Sequence, residues 1–370
     1  MKRVLHLIKG LARGGAEQLL VSQAPYLDRS RFEYEVAYLL PDHDALVSVL
    51  KHSGLPVHCL NGARGVSWIV RLRRLIRDRG INLIHVHSPY VAIGARLGTP
   101  RGRSAPRLVY TEHSVWEFYH RATYWGNVLT YPRGDHVFAV SEHVRSSIHY
   151  PKLLRFMRMP PVETLYHGLD PAAVRMWDSS DGVREELGIP REVPLVGTVA
   201  NFRAGKGHHI LLEAALRVRR AVPEVRFLLV GHGPLESKVR RQAREMGLDG
   251  TVIFTGARED APRLAGAFDL FALPSLSEGL AIALIEAMAL GRPAVVTRVG
   301  GLTEVVEHGK QGLVIEPGDP ETLAEAITTL LRDEKFRRQL GESGRRRAAK
   351  FDIRNAVRRH EEVYAELLDR

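Results

Sequence analysis

The chain has 370 residues, of which 45% are hydrophobic and 26% charged, so it is too long for one ordinary hydrophobic core. Cys59 is its only cysteine, which excludes an intrachain disulfide and fits a reducing cytoplasm. No uncharged apolar run reaches the roughly 18 residues of a membrane-spanning helix, and the apolar run at 4–8 is too short for a signal peptide. We therefore expect a cytoplasmic protein of two domains.

The net charge of +11 comes entirely from the first part of the chain. Residues 1–176 hold 24 Lys and Arg against 13 Asp and Glu, whereas residues 177–370 hold 29 of each. A basic half suits nucleic acid, an anionic membrane surface or phosphorylated substrates. No nucleic-acid motif can be placed in the sequence, so we expect no nucleic-acid partner.

In the first part, strands alternate with loops and helices, as in a doubly wound α/β domain. The pattern predicts strands at 4–8, 34–40, 57–60, 83–87, 108–111, 137–140 and 162–165. The first strand leads through a loop with Gly14 and Gly15 into a helix that starts at Ala16. Such a loop either binds an anion at the helix amino terminus or simply makes a tight turn. His87 and His113 both follow strands, at the edge where open α/β sheets bind ligands.

Two segments of the first part combine apolar and basic residues. The helix Trp68–Arg79 suits either an anionic membrane surface or the solvated outer layer of an α/β domain. The segment Leu153–Pro161 suits either a membrane contact or a loop lid. Peripheral binding to the inner face of a membrane is therefore an open alternative to a purely cytoplasmic location.

The strand and helix pattern restarts after a linker, Ala172–Arg191, which has little apolar pattern. Strands are predicted at 195–199, 227–230, 252–255, 268–273, 294–296 and 312–315, and the main helices at 208–220, 280–290, 302–308, 320–332, 334–349 and 353–368. The loop after the first of these strands contains Arg203 and Lys206. These residues are either phosphate ligands or surface charges at a helix start.

The stretch Pro274–Gly291 is the centre of the functional interpretation. A polar loop, with Ser277 and Glu278 as cap candidates, leads into an apolar helix that carries Glu286 on the same side. A helix amino terminus suits a phosphate, and carboxylates beside it can accept hydrogen bonds from sugar hydroxyls. Alone, Glu278 and Glu286 would be a helix cap and a surface charge. The basic residues Arg203 and Lys206 on a nearby loop favour a site for a sugar diphosphate instead.

Together these motifs resemble the retaining glycosyltransferases of family four (glycosyl transferases group 1). The resemblance covers nearly the whole chain and rests on 14–17, 111–113, 167–170, 203–207, 231–234 and, most specifically, 277–293. It implies an α/β fold with two Rossmann-like doubly wound domains facing across a cleft (GT-B). The acceptor-side domain would be 1–176, the nucleotide-sugar-binding domain 177–352, and the segment 353–370 a helix that crosses back to the first domain.

The resemblance also implies roles for individual residues. The catalytic residues would be His113 beside the reacting sugar, Lys206 on the diphosphate and Glu278 near the donor sugar. Further donor-binding residues would be the ribose ligand Glu286, the backbone groups of Gly15, Gly279 and Leu280, and Arg203 or Asn201. The last choice is open because Asn201 stands where the family usually has its phosphate-binding arginine.

We accordingly expect transfer of a sugar from a UDP- or GDP-linked donor to a glycan, lipid-linked or small-molecule acceptor, with retention of anomeric configuration. The alternative is a nucleotide-sugar epimerase or hydrolase of the same fold. A non-catalytic nucleotide-sugar-binding protein is a third class, which would be expected to lack Lys206 or one of the two glutamates. No Asp, Glu or His cluster has metal-ligand spacing, so neither a metal nor another cofactor is expected.

Overall fold

A computed structural model describes residues 1–12, 14–62, 65–100, 102, 104–152, 157–170, 173–174, 176–177 and 182–369. The chain divides into two compact units, one of Met1–His167 with Ile353–Arg370 and the other of Gly168–Asp352. The division falls between residues 167 and 168, whereas the sequence analysis places it between 176 and 177. Among the described residues, no helix is both long and apolar enough to cross a membrane.

The first unit is built on a seven-stranded parallel sheet with the strand order β3-β2-β1-β4-β5-β6-β7. Its strands are β1 (Lys2–Ile8), β2 (Phe32–Tyr38), β3 (Val57–Cys59), β4 (Leu83–Val86), β5 (Arg107–Glu112), β6 (His136–Ala139) and β7 (Val162–Thr164). The helices that connect them are α1 (Gly15–Gln23), α2 (Val47–His52), α3 (Ser67–Arg79), α4 (Pro89–Gly98), α5 (Arg121–Thr130) and α6 (Glu142–Ser147).

The second unit repeats this plan with a six-stranded parallel sheet in the order β10-β9-β8-β11-β12-β13. Its strands are β8 (Leu195–Val199), β9 (Arg226–Val230), β10 (Val252–Gly256), β11 (Leu270–Leu273), β12 (Ala294–Thr297) and β13 (Gly312–Ile315). Its helices are α7 (Val183–Glu186), α8 (His208–Ala221), α9 (Glu236–Glu245), α10 (Ala261–Gly266), α11 (Ile282–Ala289), α12 (Leu302–Val305), α13 (Pro320–Arg332) and α14 (Glu334–Ala348). The final helix, α15 (Ile353–Leu368), belongs to the first unit.

The strands are apolar because helices cover both faces of each sheet. In β1, Val4, Leu5, Leu7 and Ile8 are all at most 1% exposed, although side chains along a strand point alternately to opposite faces. Since all strands of a sheet are parallel, their carboxyl ends meet at one edge, which is where such sheets hold ligands. The doubly wound α/β architecture predicted from the sequence is therefore confirmed for both units.

The apolar face of α3 belongs to the core of the first unit. Trp68, Leu72 and Ile76 are buried in that core. The contact with α4 is so close that a Cβ atom at Gly94 would lie 2.2 Å from the Trp68 ring. Of the two interpretations of this helix, the outer layer of an α/β domain fits the packing, and its apolar face is not available to a membrane. In the other candidate segment, Leu153–Pro161, residues 153–156 lie outside the described residues.

The two segments by which the chain passes between the units run side by side. The Leu169 amide donates a hydrogen bond of 3.0 Å to the Phe351 carbonyl, and Leu169 forms a parallel bridge with Asp352. A Cβ atom on Gly168 would lie 1.7 Å from the Phe351 carbonyl oxygen. This close backbone contact therefore requires glycine at position 168.

We expect Gly168→Ala to destabilise the protein, because the added methyl group can be accommodated only by moving backbone. Overpacking of this kind costs about 1–3 kcal/mol and occasionally more. Gly15→Ala is the matched control, since nothing lies within 4 Å of a Cβ atom there. Thermal unfolding should show a clear loss for Gly168→Ala and little change for Gly15→Ala. Equal melting temperatures would contradict the contact.

Candidate functional site

Two loops of the second unit lie together at the carboxyl edge of its sheet, because they leave the adjacent strands β8 and β11. The Leu276 amide donates a hydrogen bond of 2.8 Å to the Gly205 carbonyl. Gly207 has a φ of +65°, and a Cβ atom there would lie 2.0 Å from the Pro274 carbonyl oxygen. The Gly-Lys-Gly sequence thus lets the basic loop pass close to the polar loop and brings Lys206 with it.

Lys206 and Glu278 meet across these loops. The Lys206 Nζ atom is 2.5 Å from Glu278 Oε2, and the Ser275 hydroxyl donates to the same oxygen at 3.2 Å. Ser275 is itself held by Thr297, whose hydroxyl donates to the Ser275 carbonyl at 2.5 Å. The Lys206 and Glu278 side chains are 25% and 10% exposed. The pair is therefore fixed by packing but open to a ligand.

The helix at this site starts two residues after its predicted position, and neither predicted cap residue caps it. The helix α11 begins at Ile282, and its N-cap residue Ala281 makes no side-chain cap. Neither Ser277 nor Glu278 caps it, because the Glu278 carboxylate is occupied by Lys206 and Ser275.

The loop that carries Glu278 is supported by two glycines, Gly300 and Gly301, that were not predicted to be part of the site. Gly300 has a φ of +51°, and a Cβ atom there would lie 1.7 Å from the Glu278 carbonyl oxygen. The Gly301 amide donates to the Gly279 carbonyl at 3.1 Å. Among the described residues, the amides of Gly279 and Leu280 have no hydrogen-bond acceptor. These amides are free donors immediately before a helix, where partial positive charge also lies.

Glu286 lies one turn into α11 and is partly buried. Within the described part of the chain, its carboxylate has no hydrogen bond or ion pair. Burial raises the pKa of Glu286 to about 7. A partly buried carboxylate without a protein partner can accept hydrogen bonds from ligand hydroxyls.

The structure does not bring Arg203 to the Lys206–Glu278 pair. Its side chain is exposed and lines a pocket between the start of α8 and α9, together with His209, Lys238 and Arg241. The Arg203 amide donates to the Asn201 carbonyl at 2.8 Å. Which of Arg203 and Asn201 contacts a phosphate stays a prediction.

Two predicted site residues belong to the first unit. His113 follows β5, and its ring stacks on that of His167 with centroids 5.6 Å apart. Its Nε2 atom is buried and has no hydrogen-bond partner in the described part of the unit. Burial, and secondarily the neighbouring His167, lower the pKa of His113 to about 3, so the ring is neutral. Gly15 is the first residue of α1, and the space around it is open.

Both units match models of glycosyltransferases. Residues 179–347 match the family described as Glycosyl transferases group 1, and residues 13–173 match Glycosyltransferase Family 4. The two matches leave only the ends of the chain and 174–178 uncovered.

Two curated relatives are similar to part of the chain. A D-inositol 3-phosphate glycosyltransferase of Corynebacterium urealyticum is 33% identical over 199 residues, which are 51% of this chain and 47% of that protein. The N-acetyl-alpha-D-glucosaminyl L-malate synthase of Bacillus anthracis is 30% identical over 208 residues, 56% of this chain and 54% of that protein. The chain thus spans about half the length of these two relatives.

A solved structure, that of Anabaena HepE in complex with UDP-glucose, has a similar fold over the whole chain. The TM-score is 0.84 at 23% identity, and the match covers 99% of this chain and 100% of HepE. The likeness confirms the predicted GT-B architecture of two doubly wound units. With one unit matched by each of the two family models, the chain belongs to the group 1, family 4 glycosyltransferases.

Proposed function

We propose that the protein transfers a sugar from a nucleotide-diphospho-sugar to an acceptor hydroxyl with retention of anomeric configuration. The observation that carries the proposal is the arrangement of Lys206, Glu278 and Glu286 at the carboxyl edge of the second sheet. One cation, two carboxylates and free backbone amides are the groups that a sugar diphosphate with a ribose requires.

Each group has a task in this proposal. Lys206 exchanges its contact with Glu278 for the diphosphate, and the amides of Gly279 and Leu280 donate to the phosphate or the sugar. Glu278, released from Lys206, accepts hydrogen bonds from the donor sugar. Glu286 accepts hydrogen bonds from the ribose hydroxyls. The donor-binding roles of Arg203, Asn201 and Gly15 are part of the same proposal.

The chemistry then needs no protein nucleophile. The bond from the anomeric carbon to the phosphate oxygen breaks, and the acceptor oxygen bonds to that carbon on the same face. The acceptor proton passes to the departing phosphate. Lys206 and the backbone amides stabilise the negative charge that grows on this phosphate, an electrostatic effect that can lower the barrier by about 3 kcal/mol per donor. Because these groups supply positive charge, we expect transfer to proceed without a divalent cation.

A UDP-linked hexose is the donor that we propose first. Anabaena HepE, which shares the fold, was crystallised with UDP and with UDP-glucose. GDP-linked sugars are the alternative. A thermal-shift panel of nucleoside diphosphates and their sugars ranks the donors, because binding raises stability by RT ln(1 + [L]/Kd).

The reaction class is tested by incubating the protein with the best donor and candidate acceptors. Mass spectrometry should detect a product in which donor sugar and acceptor are linked, and NMR should give the same anomeric configuration as in the donor. An altered sugar nucleotide would instead show an epimerase, and free sugar without a linked product would show a hydrolase. Binding without any turnover would leave only a non-catalytic nucleotide-sugar-binding protein.

His113→Ala is expected to lower kcat about 100-fold or more with a smaller loss of donor affinity. The reason is that a neutral imidazole whose Nε2 atom lacks a partner can offer a hydrogen bond to the reacting sugar, and losing one such group has this typical cost. Steady-state kinetics and donor titration separate the two effects. A parallel loss in kcat and affinity would assign His113 a plain binding role.

For the acceptor, we propose a glycan or lipid-linked molecule, with the protein bound peripherally to an anionic membrane. Three successive helices, α3, α4 and α5, expose apolar side chains, and α4 packs against both of the others. The exposed side chains are Val70, Tyr90, Leu97, Trp125 and Leu129. The excess of basic residues in 1–176 suits anionic headgroups. The wild-type protein should sediment with phosphatidylglycerol vesicles but not with phosphatidylcholine vesicles. The double variant Trp125→Ser/Leu129→Ser should not sediment with either kind of vesicle. Equal sedimentation of that variant would contradict this membrane contact.

A further inference from the structure

Six histidines form a closed ring inside the first unit, and the proposed reaction uses only one of them. The centroids of successive rings are 5.4, 4.9, 5.5, 5.6, 5.9 and 5.3 Å apart in the order His6, His85, His360, His167, His113, His87 and back to His6. All but His113 are less than 5% exposed. Buried imidazoles are neutral, and the neutral imidazole is the form that binds metal ions.

Three members of the ring have the arrangement of a metal site. His6 on β1 is in register with His85 on β4, and His87 follows β4 on the same face. One nitrogen from each of these three residues lies within 4.8 Å of the others. His6 Nδ1 and His87 Nε2 are 3.0 Å apart and share a hydrogen bond, which a bound ion would replace. Two imidazole nitrogens on a tetrahedral Zn²⁺ ion, each at about 2.0–2.1 Å, are about 3.3 Å apart, so this pair already has nearly the required spacing.

His85 has hydrogen-bond contacts at both ring nitrogens, and the one at Nδ1 can orient the ring. Its Nδ1 atom lies 2.5 Å from the Tyr364 hydroxyl of α15, and its Nε2 atom lies 2.7 Å from the Thr111 hydroxyl. A ring that donates its Nδ1 proton to an outer acceptor presents a lone pair at Nε2. This tautomer, with Tyr364 as acceptor, makes His85 Nε2 a ligand once the Thr111 hydroxyl turns aside.

The other half of the ring also contains buried nitrogens without partners. The Nε2 atoms of His113 and His360 and both ring nitrogens of His167 have no hydrogen-bond partner among the described residues. Buried polar atoms without partners are uncommon, so this part of the ring suits contact with a polar species. Mg²⁺ and Ca²⁺ prefer oxygen ligands, whereas the ring side chains are all imidazoles. Nitrogen ligands of this kind suit Zn²⁺, Co²⁺ and Ni²⁺.

We propose that His6, His85 and His87 form a binding site for a divalent transition metal ion of the Zn²⁺ class. The ion links β1 to β4 under α15 and acts on the stability of the first unit. It takes no part in the sugar transfer, which uses Lys206 and the amides of the second unit. The site was not predicted from the sequence, because His85 lies on β4 and His87 just after it, whereas His6 lies on a strand 81 positions before His87.

The test uses the full chain, purified without a polyhistidine tag and treated with a chelator. Titration with Co²⁺ should produce the intense visible absorption of a four-coordinate ion at one equivalent, and Zn²⁺ should displace it and raise the melting temperature. His87→Gln should weaken Co²⁺ binding about 100-fold or more. His232→Gln, which removes an imidazole with a side chain that is 74% exposed, should bind like the wild type.

Two results would overturn the proposal: wild-type protein without a stoichiometric four-coordinate Co²⁺ spectrum, or unchanged binding by folded His87→Gln. If His87→Gln does not fold, X-ray absorption on the wild-type Zn²⁺ complex decides the question. That spectrum should show a shell of three imidazole nitrogens, and a shell of oxygens or a single imidazole would contradict the site.

Discussion

Lys206→Ala is expected to lower kcat by a factor of about 100 to 1000 while the protein stays folded. A preorganised donor to a developing negative charge contributes on this scale, and Lys206 is the cation placed beside Glu278 at the sheet edge. Stability should fall as well, because the largely buried Glu278 carboxylate loses its ion pair and keeps only the Ser275 hydroxyl and limited access to water. Transfer should be measured at a temperature where circular dichroism shows both proteins folded.

The chain offers a matched control for this substitution. Lys310 also forms an ion pair with a glutamate of the second unit, Glu307, at 2.6 Å, but on the exposed surface. Lys310→Ala removes the same charge and the same kind of contact, and exposed pairs contribute little to stability. Transfer by this control should equal that of the wild type. If Lys206→Ala also transferred sugar at nearly the wild-type rate, the assignment of Lys206 to the diphosphate would be wrong.

Much of the fold was predictable because buried parallel strands are continuous apolar runs. Strands β8 and β13 and helices α13 and α15 have the predicted bounds, and the other predicted strands differ by a few residues at most. The helix α9 was missed because it is mostly charged and buries only Val239 and Ala243, so it contains no apolar run. The helix α4 was missed because its sequence starts with Pro89 and contains two glycines, which usually mark turns.

The candidate site was predictable only in part, since contacts between distant loops leave no local pattern. The sequence identified Lys206 and Glu278 separately, but their ion pair joins residues 72 positions apart and depends on β8 lying beside β11. The same ion pair explains why Glu278 is not a helix cap, because a carboxylate in contact with a lysine is not available as one.

The histidine ring shows the same limitation more strongly. His6 lies on β1, His85 on β4 and His360 on α15, and the other three histidines follow strands of the same sheet. Only the sheet register and the return of the final helix bring these six side chains together. The sequence indicated a crevice from His87 and His113 alone. Local spacing therefore located the loops at the sheet edges, whereas the tertiary fold decided which side chains meet.

Glu286→Gln is expected to weaken donor binding about 10- to 100-fold at pH 8, because hydrogen bonds to a charged group are worth about 1.5–3 kcal/mol. In the wild type, donor affinity should rise between pH 6 and pH 8. The pKa of Glu286 is raised to about 7 by burial, and the ionised carboxylate is the better acceptor for ribose hydroxyls. In Glu286→Gln this rise should disappear. Isothermal titration calorimetry in buffers of different ionisation enthalpy should also detect proton release on binding to the wild type only.

The same substitution should have the opposite effect on the free protein. The pKa of Glu286 is higher in the folded state than in the unfolded state. Its contribution to folding stability is therefore fully present below the unfolded pKa and is lost as the pH rises through the folded pKa of about 7. At pH 8, therefore, unliganded Glu286→Gln should melt at a higher temperature than the wild type but gain less from added nucleotide. Glu325→Gln, at an exposed position of α13, is the control and should change neither value. A variant that lost stability and kept its nucleotide response would show that Glu286 supports the fold rather than the ribose.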